Sequence, residues 1–462
     1  MGINSGTKGM VREIAALSWP TVVEQALQTV VQFADSAMVG RIGAEASASV
    51  GMTTSVTWLV NAPLFAMGVG VLATISRANG AGDEQTAKRA ASQSILLALI
   101  LGIAVGVLTV GISPFLPGWL GADPGLRADG SAYFAIICAP MLFRASIVLF
   151  GSVLRAVGDM KTPMAVNLFV NLTNVCLNYF LIYAAHTVRL GPISLAIPGA
   201  GLGVQGAAIA TAISYVVGGV AMFLAMMRNR KVSPRGLGLR LDRRIMGDCV
   251  RIGAPVALSR VGACLGQVVF SSQVTRLGTT ALAAHSLALT AEQAFYIPGY
   301  GMQAAAATLC GNALGARDGK RLRAAARTSV LMAAGVMAVT GSLLFLFPGF
   351  MMSIFTTDEQ VIELGQRVLR IVAVSEPIFG ASIILEGVFD GIGDTRSPLL
   401  ISIATMWGVR ILATYVCVNW LHLGLTAVWC CMVADNVCRG ALLFACYVRG
   451  RWRRTVGLEE DA

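Results

Sequence analysis

The chain has 462 residues, of which 56% are hydrophobic and 13% charged, with a mean hydropathy of +0.71 and a formal net charge of +11. Globular chains carry about 25% charged residues, so there is too little polar surface here to cover a soluble body of this length, and no soluble basic module exists to bind nucleic acid. The positive excess fits loops that face anionic membrane lipid.

A span through hydrocarbon needs roughly 20 apolar residues, and helices are the natural spanning element because lipid offers backbone groups no partner. Hydropathy and turn residues predict about twelve helices, at 13–38, 47–74, 90–113, 131–154, 163–185, 203–227, 249–274, 281–308, 325–347, 364–389, 398–420 and 424–447. The expected fold class is an all-α integral membrane protein.

The first predicted helix follows Lys8 and Arg12, but Glu24 and Asp35 interrupt it and no small-residue cleavage site follows. It reads as a retained helix, not a signal peptide. Asp35 is its sharpest feature, since a carboxylate deep in a span costs at least about 2.5 kcal/mol and such groups face a bundle interior or a wet cavity. At roughly 100° per residue, Glu24 and Gln28 share its face and Gln32 lies close by, a polar stripe about 16 Å long. Lipid would not tolerate it, whereas an acid in a partly dehydrated cavity exchanges a proton for a metal ion or a cationic substrate. A satisfied polar contact between helices is the plainer alternative.

The fifth predicted helix carries Asn167, Asn171, Asn174 and Asn178 at spacings of four, three and four, hence on one face. Amide oxygens suit a hard cation such as sodium or a relay to Asp35, and they equally suit hydrogen bonds between helices. GLGVQG, residues 201–206, matches a dinucleotide fingerprint by letter only: a proline-glycine loop is expected before it, where the fingerprint needs a strand, and no ribose-binding acid follows. Close packing by small residues explains its glycines better, as it does for GIAVG and GACLG.

In the second half, Glu292 sits on the eighth predicted helix, and Glu376, Glu386 and Asp390 on the tenth. Glu386 and Asp390, near the predicted cytoplasmic end, read as solvated helix-end charge. Arg144, Arg260, Arg410 and Arg439 fall inside spans, where pairing with Glu292, Glu376 or Asp435 costs least. The ten cysteines form no C-x-x-C pair and the three histidines stand apart, so no metal site and no catalytic set is expected.

Lys88, Arg89, Lys161, Arg230, Lys231, Arg243, Arg244, Lys320, Arg321, Arg323, Arg451 and Arg454 fall in loops that share one side. By the positive-inside rule both termini and the 228–248 linker are cytoplasmic. The sequence also repeats at an offset of 235: Pro20 falls on Pro255, Gln32 on Gln267, Pro63 on Pro298, RIGAEA (41–46) on RLGTTA (276–281), and AVGDMKTP (156–163) on GIGDTRSP (391–398). Six helices per half make the repeats parallel, related by a pseudo-two-fold along the membrane normal, as in alternating-access transporters. The expected organisation is an N-lobe (1–227), the linker (228–248) and a C-lobe (249–462) with a basic tail.

LSWPTVVEQ, DSAMVGRIG, the paired GDMKTP and GDTRSP turns, GVQGAAIATAIS and PGYGMQAAAATLCGNALGA together make the chain resemble the multidrug and toxic compound extrusion (MATE) family over nearly its whole length. The resemblance implies two six-helix lobes and an antiporter in which inward movement of protons or sodium drives export of amphipathic, often cationic compounds. It also implies a cation site at Asp35, Asn174, Asn178 and Thr211. Glu24, Gln28, Gln32, Asn171 and Glu292 are the candidate substrate contacts. Some members carry a second Asp where Asn178 stands, and others a seventh-helix Glu where this chain reads VGAC (261–264), which leaves the coupling ion open. The resemblance implies no enzyme activity, no cofactor beyond the coupling ion, a monomer, and a place in the inner (plasma) membrane. The alternative is a flippase for lipid-linked precursors, which would need a strongly basic cavity.

Overall fold

The computed structural model describes residues 7–190 and 193–450. Arg451 and Arg454, counted above among the cytoplasmic charges, lie outside the described residues. The first half runs α1 (Thr7–Gly40), α2 (Ala44–Gly80), α3 (Glu84–Ile112), α4 (Leu116–Trp119), α5 (Pro124–Cys138), α6 (Met141–Ala156), α7 (Lys161–Ile182), β1 (Ala184–Leu190), β2 (Ile193–Ala200) and α8 (Gly203–Arg228). The second runs α9 (Arg243–Thr275), α10 (Thr279–Gly315), α11 (Gly319–Leu346), α12 (Pro348–Ser353), α13 (Glu359–Ile392), α14 (Arg396–Thr405), a π-helical turn (Met406–Ile411), α15 (Leu412–Asn419) and α16 (Leu425–Val448).

Among the described residues nine helices are long and apolar enough to cross a membrane, ten if α5 and α6 count as one bent span. Helices α1 and α10 also reach spanning length, at 34 and 37 residues. Contacts divide the described chain into two compact units. One gathers the chain up to Gln25, Leu72–Asp83 and everything from Cys249 onward; the other holds Ala26–Val71 and Glu84–Asp248. In the first, α13 is the central helix, packed by α10, α11 and α16. In the second, α6 and α8 lie against each other, with α3 on α6 and α7 on α8.

The 235-residue repeat reappears as geometry. Ala44 and Gly80, the ends of α2, fall on Thr279 and Gly315, the ends of α10. The GD turns show why the motif recurs. Gly158 and Gly393 take φ of +82° and +78°, left-handed values that glycine adopts without penalty. Each following aspartate then caps the next helix: Asp159 accepts from Thr162 N (3.1 Å) and Oγ1 (2.8 Å), and Asp394 from Ser397 N (3.3 Å) and Oγ (2.8 Å).

A second reciprocal contact joins the ends of α2 and α10 within the first unit. A Cβ on Gly80 would collide with the Asn312 carbonyl, and one on Gly315 with the Arg77 carbonyl. The repeat converts Gly80 into Gly315 and Arg77 into Asn312, so the contact is its own reciprocal, the mark of a two-fold interface. Asn79 Nδ2 also donates to Asn312 Oδ1 at 2.6 Å.

Three local features depart from expectation. The span predicted at 131–154 is broken into α5 and α6, which meet at 45°. Pro140 sits at the break, where a missing N–H and a ring clash end a regular helix. The fifth span stops at Ile182, and β1 pairs antiparallel with β2, Thr187 opposite Ala196. The linker is anchored within the second unit: Gln93 of α3 donates to the Arg240 carbonyl (2.8 Å) and accepts from Asp242 N (3.1 Å).

Strand β2 directly precedes GLGVQG, where sequence suggested a proline-glycine loop, but the close packing expected of Gly206 and of Gly102 is observed. A Cβ on Gly206 would meet the Leu181 backbone, and one on Gly102 the Leu142 backbone.

Candidate functional site

Asp35 lies on the second turn from the end of α1, half-buried inside the second unit. Its partners come from α7. Asn178 Nδ2 donates to Asp35 Oδ1 at 2.6 Å. In the orientation that satisfies both of its ends, the Asn174 amide points its nitrogen at Asp35, 3.0 Å from Oδ1 and 3.2 Å from Oδ2, and its oxygen accepts from Thr211 Oγ1 of α8 at 3.1 Å. Three helices thus meet at one carboxyl group.

The helical period explains the meeting. Asn174 and Asn178 are one turn apart, so both amides project from the same face of α7, and both are buried, Asn178 to 1% exposure. Helices α7 and α8 can approach closely because Gly206 and Gly218 present no side chain to the residues they meet, Leu181 and Val170 of α7. Asn178 Oδ1 is buried with no hydrogen-bond partner among the described residues. It is an acceptor beside a carboxylate, an arrangement that favours a cation or a proton donor.

Two tyrosines escaped the sequence reading. Tyr133 of α5 packs on the cluster that holds Val39 of α1, Ile182 of α7 and Val204 of α8. Tyr215 of α8 also carries Arg144, whose guanidinium stands 5.0 Å from its ring centroid and 5.5 Å from that of Phe65. The only sequence signal for either tyrosine was an aromatic hydroxyl inside an apolar run.

The remaining candidates fall elsewhere. Gln28 and Asn171 are half-buried and Gln32 is exposed, outside this hydrogen-bonded group. Glu24 belongs to the other unit, as does Glu292, which is 4% exposed and within the field of Arg410.

The arginine pairing expected from sequence is corrected in part. Asp435, with 0% exposure, takes two arginines: Arg410 at 2.8 Å and Arg439 at 3.1 Å. Arg410 also bonds Asn436 Oδ1 (3.1 Å) and faces the Phe270 ring. It sits in the π-helical turn, a wider coil that commonly marks functional or strained positions. Among the described residues Arg144 pairs with no acid; its Nε donates to Asn61 Oδ1 at 3.3 Å, and the Phe65 and Tyr215 faces lie against its guanidinium. Glu376 has 1% exposure and neither of its oxygens is hydrogen-bonded among the described residues. Glu386 and Asp390 are not solvated helix-end charges: half-buried, they line a cavity with Arg260 and Arg439.

The MatE family model matches residues 20–180 and again residues 255–416, the second match displaced by the repeat. The chain belongs to the MatE family. It is similar to the probable multidrug resistance protein NorM of Thermotoga maritima, 26% identical over 97% of this chain and 95% of that protein. A protein of the same description from Photorhabdus laumondii is 25% identical, over 94% of each. Among solved structures, an outward-facing multidrug resistance MATE family transporter of the MOP superfamily superposes with a TM-score of 0.88 at 23% identity, covering all of both chains. This MatE protein is therefore an all-α, multi-pass membrane transporter built of about twelve helices in two lobes.

Proposed function

We propose that this MatE protein is a secondary active exporter in which inward movement of a proton or sodium ion at Asp35 drives outward passage of amphipathic, often cationic compounds. The observation that carries the proposal is the company of Asp35: its oxygens are met by the neutral amides of Asn174 and Asn178, and not by a guanidinium. A hydrogen bond to a charged group contributes about 1.5–3 kcal/mol. Two such bonds stabilise the anion in a half-dry site without cancelling its charge, so an arriving cation still gains Coulomb energy there. A fixed arginine would have removed that gain.

Ion and substrate exchange for one another if each binds the two access states unequally. Turning a 1:99 population into 99:1 takes about 5.5 kcal/mol of differential affinity. A buried carboxylate is suited to supply it, because its interaction with a cation changes steeply with hydration. In this scheme residues 1–227 and 249–462 act as the two lobes, the 228–248 linker and both termini face the cytoplasm of the inner membrane, and a monomer suffices. The multidrug resistance named for the relatives supports the substrate class.

Reconstitution into vesicles, with proton and sodium gradients imposed separately, tests the scheme through efflux of a cationic dye. One inward gradient should accelerate efflux in the wild type and leave Asp35→Asn at the rate of empty vesicles. Flux independent of either gradient, or full activity in the variant, would refute it.

A further inference from the structure

A further group of charged residues lies within the first unit, in the chain from Cys249 onward. A cavity of about 170 Å³ opens between α9, α10, α13, α14 and α16. One water needs roughly 10–15 Å³ by the same kind of measure, so the space holds on the order of ten waters, or a ligand with a similar number of heavy atoms. Its polar wall carries two guanidiniums, Arg260 and Arg439, and two carboxylates, Glu386 and Asp390. Its apolar wall includes Leu399, Ile403 and Met406.

The charges are arranged to answer one another. Arg260, Arg439, Glu386 and Asp390 all border the one space. Arg439 spends its Nη2 on Asp435, at 3.1 and 3.4 Å, while its Nε–H is buried with no acceptor among the described residues. Leaving a donor in that condition costs about 1–3 kcal/mol.

Such a wall discriminates by charge type. A simple cation drawn to Glu386 and Asp390 meets repulsion from two arginines, and a simple anion drawn to the arginines meets two carboxylates. Unit charges 4 Å apart interact by about 4 kcal/mol at an effective dielectric of 20, so each gain is offset by a loss of like size. A ligand with both charges gains at both ends. We propose that this cavity is a binding site for a small zwitterion of amino-acid size with an apolar side group, its carboxylate at Arg260 and Arg439, its ammonium at Glu386 and Asp390, and its side group on Leu399, Ile403 and Met406.

The test uses the purified full chain in lipid nanodiscs, with the thermal unfolding midpoint followed by tryptophan fluorescence. L-leucine is the probe, leucinamide its cation-only analogue and N-acetyl-leucine its anion-only analogue. Leucine should raise the midpoint saturably, with each analogue weaker by at least about ten-fold. Arg260→Gln and Glu386→Gln should each weaken leucine by about ten-fold as well. Either change could disturb folding, so a filling variant keeps the test decisive. A Cβ on Gly262 finds nothing nearer than Ile403 at 3.6 Å, so Gly262→Leu should fold, occupy the cavity and abolish the leucine response.

No saturable response to leucine, an equal response to the three compounds, or a response retained in Gly262→Leu would overturn the proposal. Asp35→Asn should keep the leucine response while losing export. Failure here is thereby separable from failure of the export scheme.

Discussion

Asn178 donates to Asp35 across 143 positions of sequence, at 2.6 Å, and it is the shortest tie between α1 and α7 at this carboxyl group. Removing that amide leaves Asp35 with Asn174 alone. Asn178→Ala removes a bond of about 1.5–3 kcal/mol to the anion, so a coupling proton should bind more tightly, by roughly 10- to 150-fold. The proton concentration that gives half-maximal efflux reads the change directly, and an unchanged value would show that Asn178 does not act on the ion site.

Thr211 reaches Asp35 only through the Asn174 amide, whose oxygen it donates to. Its contribution is that of one neutral hydrogen bond, about 1 kcal/mol. Thr211→Val should therefore shift half-maximal efflux by about five-fold with the maximal rate preserved. A complete loss of transport would show that the hydroxyl touches the ion itself.

Asp435 is the sole counter-charge bonded to both Arg410 and Arg439 among the described residues. Asp435→Ala strands two buried guanidiniums and should destabilise the protein by about 3–5 kcal/mol. The triple change Asp435→Leu, Arg410→Met, Arg439→Met removes the stranded charge along with its partner and should recover most of that loss. Thermal unfolding in detergent distinguishes the two outcomes.

Arg144 is held by two aromatic faces and one amide oxygen. A lysine keeps the charge but loses the planar stacking. Arg144→Lys should cost about 1–2 kcal/mol of stability and leave the ion dependence of efflux where it was. A changed ion dependence would place Arg144 in the electrostatics of Asp35.

Much of this architecture was legible as pattern. Helix ends followed from the GD turns, because a left-handed glycine and a capping aspartate are local events that sequence spells out. Asp35 stood out because an acid in a span must face polar company, and a 3.6-residue period put Asn174 and Asn178 on one face with Asn167 and Asn171; choosing those two as its partners came from the family resemblance. The bend at Pro140 was hidden by an apolar run that continues through it. The hairpin was hidden in the same way, since a short strand pair beside two hydrophobic helices has no hydropathy signal of its own. Pairing among Arg410, Arg439 and Asp435 depends on the π-helical turn and on contacts between helices, neither of which has a period to read. Depth misled as well: Glu386 and Asp390 lie near a helix end in sequence, yet they are half-buried in the wall of a cavity they share with two arginines.

The crossing of Gly80 and Gly315 has a mechanical consequence. Where bare backbone touches bare backbone, attraction is almost all dispersion, and a gap of 0.5–1 Å already forfeits about a quarter to a half of it. A seam of this sort does not stretch. It holds until separated and then lets go, the Asn79 to Asn312 bond with it. On return, the carbonyl that each glycine receives guides the helices to the same seat. The two repeats have thereby placed a latch where their ends cross, and a latch divides motion into discrete positions.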